Sequence, residues 1–163
     1  MRRTDKPSWK IEIARNQGVK VGENCRFYSA NFFSEPYLVE IGDNVIISGD
    51  VKFLTHDGSY YLFKSREDGC IYGKIIIGNN CFIGMSAIIT PNTIIGDNCI
   101  IGSGAVVRGK ISDNSVVIGN PGKIIYKTQI IKKLLLSSKY QIKHPWGNEE
   151  LREKIILNHF SKF

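Results

Sequence analysis

The sequence predicts an all-β chain: a left-handed parallel β-helix, a triangular prism of six-residue repeats, with a short N-terminal segment and C-terminal helices. Three observations predict it. A β-branched aliphatic recurs at every sixth residue through Ile77, Ile83, Ile89, Ile95, Ile101 and Val107. Four places after each stand Cys81, Ala87, Thr93, Cys99, Ala105 and Ile111, small in all but the last. The tripeptides Gly22-Glu23-Asn24, Gly42-Asp43-Asn44, Gly78-Asn79-Asn80 and Gly96-Asp97-Asn98 mark one kind of corner.

Each unit reads as a short strand and a turn, and three units close one coil of the prism. The aliphatic points inward onto its neighbours in the coils above and below. The small residue also points inward, where the prism is narrow. Gly and Asn suit the corners because both tolerate positive φ. A period of six does not fit the helical period of about 3.6. Stacked coils make stability nearly a sum over neighbours, and such prisms coil left-handed, against the usual crossover preference.

The elements follow in order. Residues 1–17 form an N-terminal segment, with a short helix expected from Ser8 to Gln17 and ended by Gly18. The prism spans residues 18–127. Val21 and Phe27 open it, with Gly22 and Cys25 in matching places, and Ile41, Ile47 and Phe53 keep the phase. The pattern breaks at about 55–74, a polar and aromatic stretch expected to loop out; long loops on rigid scaffolds usually carry function. It breaks again after Val107, where Ile111-Ser112-Asp113-Asn114 restarts two residues early. A last coil through Val117 ends at Gly119-Asn120-Pro121-Gly122. Residues 128–163 form a helical tail, with one helix from Gln129 to Gln141 and a second beginning at an Asn148 N-cap, with Glu149 and Glu150 in its first turn. His144-Pro145-Trp146-Gly147 links the two.

Composition narrows the function classes. The 163 residues suffice for one domain with a real core. No apolar stretch approaches the ~20 residues of a membrane span, and Met1-Arg2-Arg3-Thr4-Asp5-Lys6 has no signal-peptide apolar region; a cytoplasmic location is expected. Cys25, Cys81 and Cys99 share one repeat position and read as apolar fillers, and no Cys-x-x-Cys pair suggests zinc. The net charge of +7 favours a polyanionic partner, be it nucleic acid, a membrane surface or a phosphorylated cofactor. Much of it lies at the chain's ends: Arg2, Arg3 and Lys6, then Lys123, Lys127, Lys132, Lys133, Lys139 and Lys143. A solvated helix face is the plainer reading of the terminal lysines. Nucleic-acid binding needs basic clusters interleaved with aromatics, which the tail lacks.

The units from Ile77 to Val107 resemble the hexapeptide-repeat acyltransferases. Thr55-His56-Asp57-Gly58, Ile77-Gly78-Asn79-Asn80, Ile95-Gly96-Asp97-Asn98 and Gly119-Asn120-Pro121 are together similar to the branch holding the maltose and galactoside O-acetyltransferases. Ser34-Glu35-Pro36-Tyr37-Leu38-Val39, followed by Ile41-Gly42-Asp43-Asn44-Val45, looks closest to the capsule and lipopolysaccharide O-acetyltransferases. The resemblance covers roughly residues 18 to 127. It implies a homotrimer with active sites between subunits, acetyl-CoA as donor in the groove between prisms, no metal, and a glycan or small-molecule acceptor. The catalytic histidine it implies is His56.

That chemistry suits the residues. A sugar hydroxyl is a poor nucleophile, so a general base must take its proton as it attacks the thioester. Neutral imidazole, with an ordinary pKa near ~6.5, serves at neutral pH, and a well-placed base contributes about 10²–10⁴ in rate. A backbone N–H on the prism edge would hold the oxyanion. Cys81 and Cys99 point inward, and Cys70 has no obvious partner base, so no covalent route is expected. A lone loop histidine is more often surface decoration; the motif context is what selects His56 over His144 and His159.

Asp57, Glu35 and Asp50 are the candidates to orient His56. The resemblance places the acceptor against Asn31 and Glu35, joined by Asp57, Tyr60 and Phe82, the last standing where the family commonly has tryptophan. Tyr60, Tyr61 and Phe63 either stack on a sugar or pack the loop against a neighbouring subunit. The resemblance also implies that backbone at Met85 and Ser103 binds the pantetheine arm, with Gly84, Gly102 and Gly104 permitting close approach. Arg108, Lys110, Lys123 and Lys127 are the candidate phosphate partners. Three other readings stand beside the O-acetyltransferase: an N-acetyltransferase of an amino-sugar nucleotide, a non-catalytic trimeric scaffold, and a zinc hydratase on the same prism. The last needs about three facing histidines, and His56 is alone in the repeat.

Overall fold

A computed structural model describes residues 9–63, 69–144 and 147–162. Arg2, Arg3, Lys6 and the Pro145-Trp146 part of the expected link lie outside them. The chain divides into two units, Met1–Thr128 and Gln129–Phe163.

The first unit winds into a left-handed parallel β-helix. Each column of the sequence repeat becomes a column in space. On the first face Val21, Ile41, Ile77, Ile95 and Ile111 align in successive coils. On the second, Phe27, Ile47, Ile83, Ile101 and Val117 do so, and on the third Phe53, Ile89 and Val107. All but the half-buried Val21 are buried, and each such side chain is worth about 1.5–3 kcal/mol. Cys81, Ala87, Thr93, Cys99 and Ala105 fill the corners from within and are likewise buried. Cys25, Cys81 and Cys99 are free thiols. Ile111 breaks the small-residue rule because the frame slips: Gly109, at φ +73°, closes its corner early, so Ile111 enters the aliphatic column opposite Ile95.

The Gly-Asx-Asn corners form a ladder. The side-chain oxygen of Asp43 accepts from Glu23 N, that of Asn79 from Asp43 N, that of Asp97 from Asn79 N, and that of Asp113 from Asp97 N, at 2.6–3.0 Å. Asn24, Asn44, Asn80, Asn98 and Asn114 turn the corner at φ +55° to +58°. Glycine precedes the Asx because the next coil's oxygen takes the space of its side chain: a Cβ on Gly78 would stand 2.4 Å from Asp97 Oδ1.

Another edge is less forgiving. A Cβ on Gly84 would meet Ser103 N at 2.5 Å and the Gly102 carbonyl carbon at 2.7 Å, both backbone. Gly84→Ala is therefore expected to cost about 1–3 kcal/mol by overpacking, read as a lower urea midpoint at unchanged slope. A neutral substitution there would mean that the coils part freely.

α1 (Trp9–Asn16) buries Ile11 and Ala14 in the core at the start of the prism, and Gly18, at φ +104°, leads into the first strand. At the other end Lys123–Lys127 runs back antiparallel over Ser115–Ile118. A repeat search cannot register this strand because it reverses direction; it covers an edge that would otherwise be open.

In the second unit α2 (Thr128–Leu136) stops five residues short of the expected Gln141. Ser137 Oγ bonds the carbonyls of Lys133 and Leu134, a side-chain alternative to continuing the helix. α3 (Glu149–Phe160) starts at Asn148, whose side chain accepts from Leu151 N at 3.0 Å. No helix among the described residues is long and apolar enough to cross a membrane.

Candidate active site

The site begins where the third face runs out. Val51–Phe53 is a regular strand, and Leu54 N still donates to Ile89 O at 2.8 Å. Thr55, fully buried, is the last anchored residue. The chain then leaves the prism as a two-stranded ribbon, with His56 and Asp57 opposite Tyr72 and Ile71. Gly73 N donates to Thr55 O at 2.8 Å and closes the ribbon's base. Glycine is required there, since a Cβ would stand 2.4 Å from Asn92 N. The ribbon is an element that sequence reading treats only as loop.

Glu35 is brought to the same edge by a separate device. Asn31 ends a third-face strand, and its side chain accepts from Phe33 N at 2.8 Å in a turn that puts Phe33 at φ +50°. Between them Phe32 drives into the core and stacks on Phe53, with centroids 5.0 Å apart. Pro36 then opens a 3₁₀ turn. The buried Glu35 carboxylate is left beside Thr55 and His56.

One carboxylate oxygen serves both. Glu35 Oε2 accepts from Thr55 Oγ1 at 2.6 Å and lies 2.8 Å from His56 Nδ1. Burial pushes the Glu35 carboxyl up, but the hydrogen bonds from Thr55 and His56, with the charge of the imidazole, outweigh it and hold the group below its ordinary value. Glu35 is thus ionised at neutral pH and can only accept. The network therefore assigns the Nδ1 proton to the histidine and leaves Nε2 as the basic nitrogen. The Tyr72 ring stands edge-on to the half-buried imidazole, centroids 6.1 Å apart.

The other candidates fall elsewhere. Asp57 caps the turn after it, accepting from Ser59 N at 2.9 Å. Those Ser59 bonds, with smaller help from Arg108 and His56, hold its carboxyl below the ordinary value. Asp50 sits on the next edge, where Ser86 Oγ reaches it at 3.4 Å. Of the three groups proposed to orient His56, Glu35 makes the contact, and it does so with an oxygen expected to serve the acceptor. Asn31, Asp57 and the half-buried Tyr60 lie on the elements that lead into and out of this edge, whereas Phe82 is exposed on the second face. Tyr72 is a neighbour that sequence reading missed, since nothing in its spacing from His56 marks the pairing.

Gly84-Met85 and Gly102-Ser103 stack in one column on the edge between the second and third faces, with Gly104 N donating to Met85 O at 2.8 Å. The missing side chains of Gly84 and Gly102 make room for the next coil, whereas Gly104 has nothing within 4 Å of its Cβ position. Arg108 and Lys110 are exposed on the His56 edge, and Lys123 and Lys127 end the return strand. Within one chain, then, the Met85–Ser103 column and His56 occupy different edges of the triangle. No group of three His, Cys, Asp or Glu among the described residues is placed to hold a metal ion.

Residues 74–109 match a family model described as bacterial transferase hexapeptide, six repeats. Protein CapG of Staphylococcus aureus is 42% identical over 153 residues, covering 91% of this chain and 87% of that one. Galactoside O-acetyltransferase of Escherichia coli strain K12 is 40% identical over 119 residues; these are 71% of this chain but 57% of that protein's length. Among solved structures, a maltose O-acetyltransferase from Clostridium difficile 630 is 31% identical with a TM-score of 0.52, over 77% of this chain and 78% of that one. A galactoside acetyltransferase in complex with coenzyme A is 29% identical with a TM-score of 0.57, over 78% and 64% respectively.

Proposed function

The chain belongs to the hexapeptide-repeat transferases, with acetyltransferases among its relatives, and from that premise we propose that it moves the acetyl group of acetyl-CoA onto a sugar hydroxyl of a surface polysaccharide, with His56 as general base. The observation that carries the proposal is the Glu35 oxygen 2.8 Å from His56 Nδ1. A buried, ionised carboxylate on one ring nitrogen makes the other a base and stabilises the imidazolium that forms when it takes a proton.

His56 Nε2 removes the hydroxyl proton as the sugar oxygen attacks the thioester carbon. The tetrahedral oxyanion collapses, the C–S bond breaks, and the departing thiolate takes the proton back from the imidazolium. Glu35 and Thr55 position the ring without touching either substrate. Asn31, Asp57 and Tyr60 would contact the acceptor, with the exposed Tyr72 offering a face to the sugar. Met85, Ser103 and the open Gly104 would carry the pantetheine arm, with Arg108, Lys110, Lys123 and Lys127 for the phosphates. Because that column and His56 sit on different edges, a complete site takes one edge from each of two prisms, the arrangement a homotrimer supplies; Phe82 would enter from the neighbour.

Glu35→Gln tests the proposal. An amide can donate toward Nδ1 and favour the wrong tautomer. The expected loss in kcat is on the order of 10²–10⁴-fold, judged from the same carboxylate-to-amide exchange in serine proteases, with little change in KM for acetyl-CoA. Stability should follow. Because the folded Glu35 carboxyl lies below its unfolded value, its contribution is whole above the ordinary carboxylate range, about pH 4.3. It is lost as pH falls through the lowered value. The gap between wild type and Glu35→Gln in urea melts should therefore close in acid. A variant with wild-type kcat and a pH-independent gap would remove Glu35 from the site.

A further inference from the structure

The acetyl-transfer reading leaves the second unit without a role, and its chemistry is specific. Residues 129–148, which open that unit, contain four lysines and no aspartate or glutamate, so a good part of the surplus of +7 lies there. Within that stretch α2 exposes Ile130, Leu134, Leu135 and Leu136. At about 3.6 residues per turn, Ile130, Ile131, Leu134 and Leu135 share one side of the helix, and Lys132 and Lys133 stand on its two flanks. Leu136 falls outside that side.

We propose that α2 lies against an anionic lipid surface, apolar side inward and lysines at the headgroups. The combination selects this occupant. A bilayer interface takes the leucines into its acyl boundary while phosphate headgroups pair with the lysines, whose stems reach along the apolar side to them. Nucleic acid would use the charge but leave the leucines in water. A second copy would use the leucines but bring like charge against like charge. The attachment is peripheral, since α2 is far too short to span a bilayer.

The test is co-sedimentation of the full chain with vesicles of phosphatidylcholine alone and of phosphatidylcholine mixed with phosphatidylglycerol. Binding is expected only to the anionic vesicles and is expected to weaken with salt. Lys132→Glu/Lys133→Glu should weaken it on the order of 10²-fold, and Leu134→Glu/Leu135→Glu should abolish it. Both variants should keep the wild-type circular dichroism, oligomer mass and acetyl transfer to a water-soluble acceptor. Absence of binding to anionic vesicles, binding that neither variant weakens, or a changed oligomer mass in Leu134→Glu/Leu135→Glu would each overturn the proposal, the last by showing that the leucines join copies of the chain. Loss of acetyl transfer is a separate readout, so failure here leaves the catalytic reading standing.

Discussion

His56→Ala is expected to lower kcat for acetyl transfer on the order of 10²–10⁴-fold, with the oligomer mass retained and thermal stability close to wild type. The imidazole is half exposed at the base of a ribbon outside the prism, so its removal leaves the stacked columns untouched. Glu35 loses one partner but keeps Thr55. Acetyl-CoA consumption with a panel of sugars, sugar nucleotides and lipid-linked glycans is the measurement, and free CoA is the product to count. A non-catalytic scaffold would be indifferent to the change. An alanine variant as active as wild type would end the general-base proposal, whatever the fold.

Phe53→Ala is the largest stability effect expected. The ring is fully buried, lies in the third-face column opposite Ile89, and stacks on Phe32. Coils fixed above and below cannot collapse into the space, so the cost should fall at about 3–5 kcal/mol, a drop of roughly 6–20 °C in Tm for a chain of this size. Phe82→Ala, on a ring one face away that is exposed within the single chain, should cost far less. Phe53→Ala should also disturb chemistry, because Phe32 fixes the turn that presents Glu35. Equal melting temperatures for the two variants would contradict the packing described for the third face.

The prism was legible because its physics is periodic. Ile77 through Val107 announce themselves at a fixed interval, and the glycine of each corner is dictated by the coil beneath. The shortfalls arise where the period stops. The return strand Lys123–Lys127 runs against the coil direction and has no phase to detect. The helix end at Ser137 depends on a hydroxyl competing for carbonyls, which propensity does not encode. The motif singles out His56 as a candidate, but the carboxylate beside it lies 21 residues earlier and meets it only through tertiary packing. Asp57 is adjacent in sequence, yet its side chain turns to Ser59. Gly84 and Gly102 were readable as places of close approach, though the close neighbour is the next coil.

The vertical registry also makes length a discrete variable. Ile77 lies under Ile95 after eighteen residues. Excising that span would slide like onto like, whereas excising one six-residue unit would keep the aliphatics stacked but rotate every later face by a third of a revolution, carrying each later loop and side chain to a different edge. Ile41 and Ile77 stand thirty-six apart, twice that span. The excursion that carries His56 therefore has the length of one full winding, as though a turn of the spring had been drawn out sideways. Insertions and deletions in such a protein are quantised, and new chemistry enters most cheaply as a whole quantum extruded at an edge.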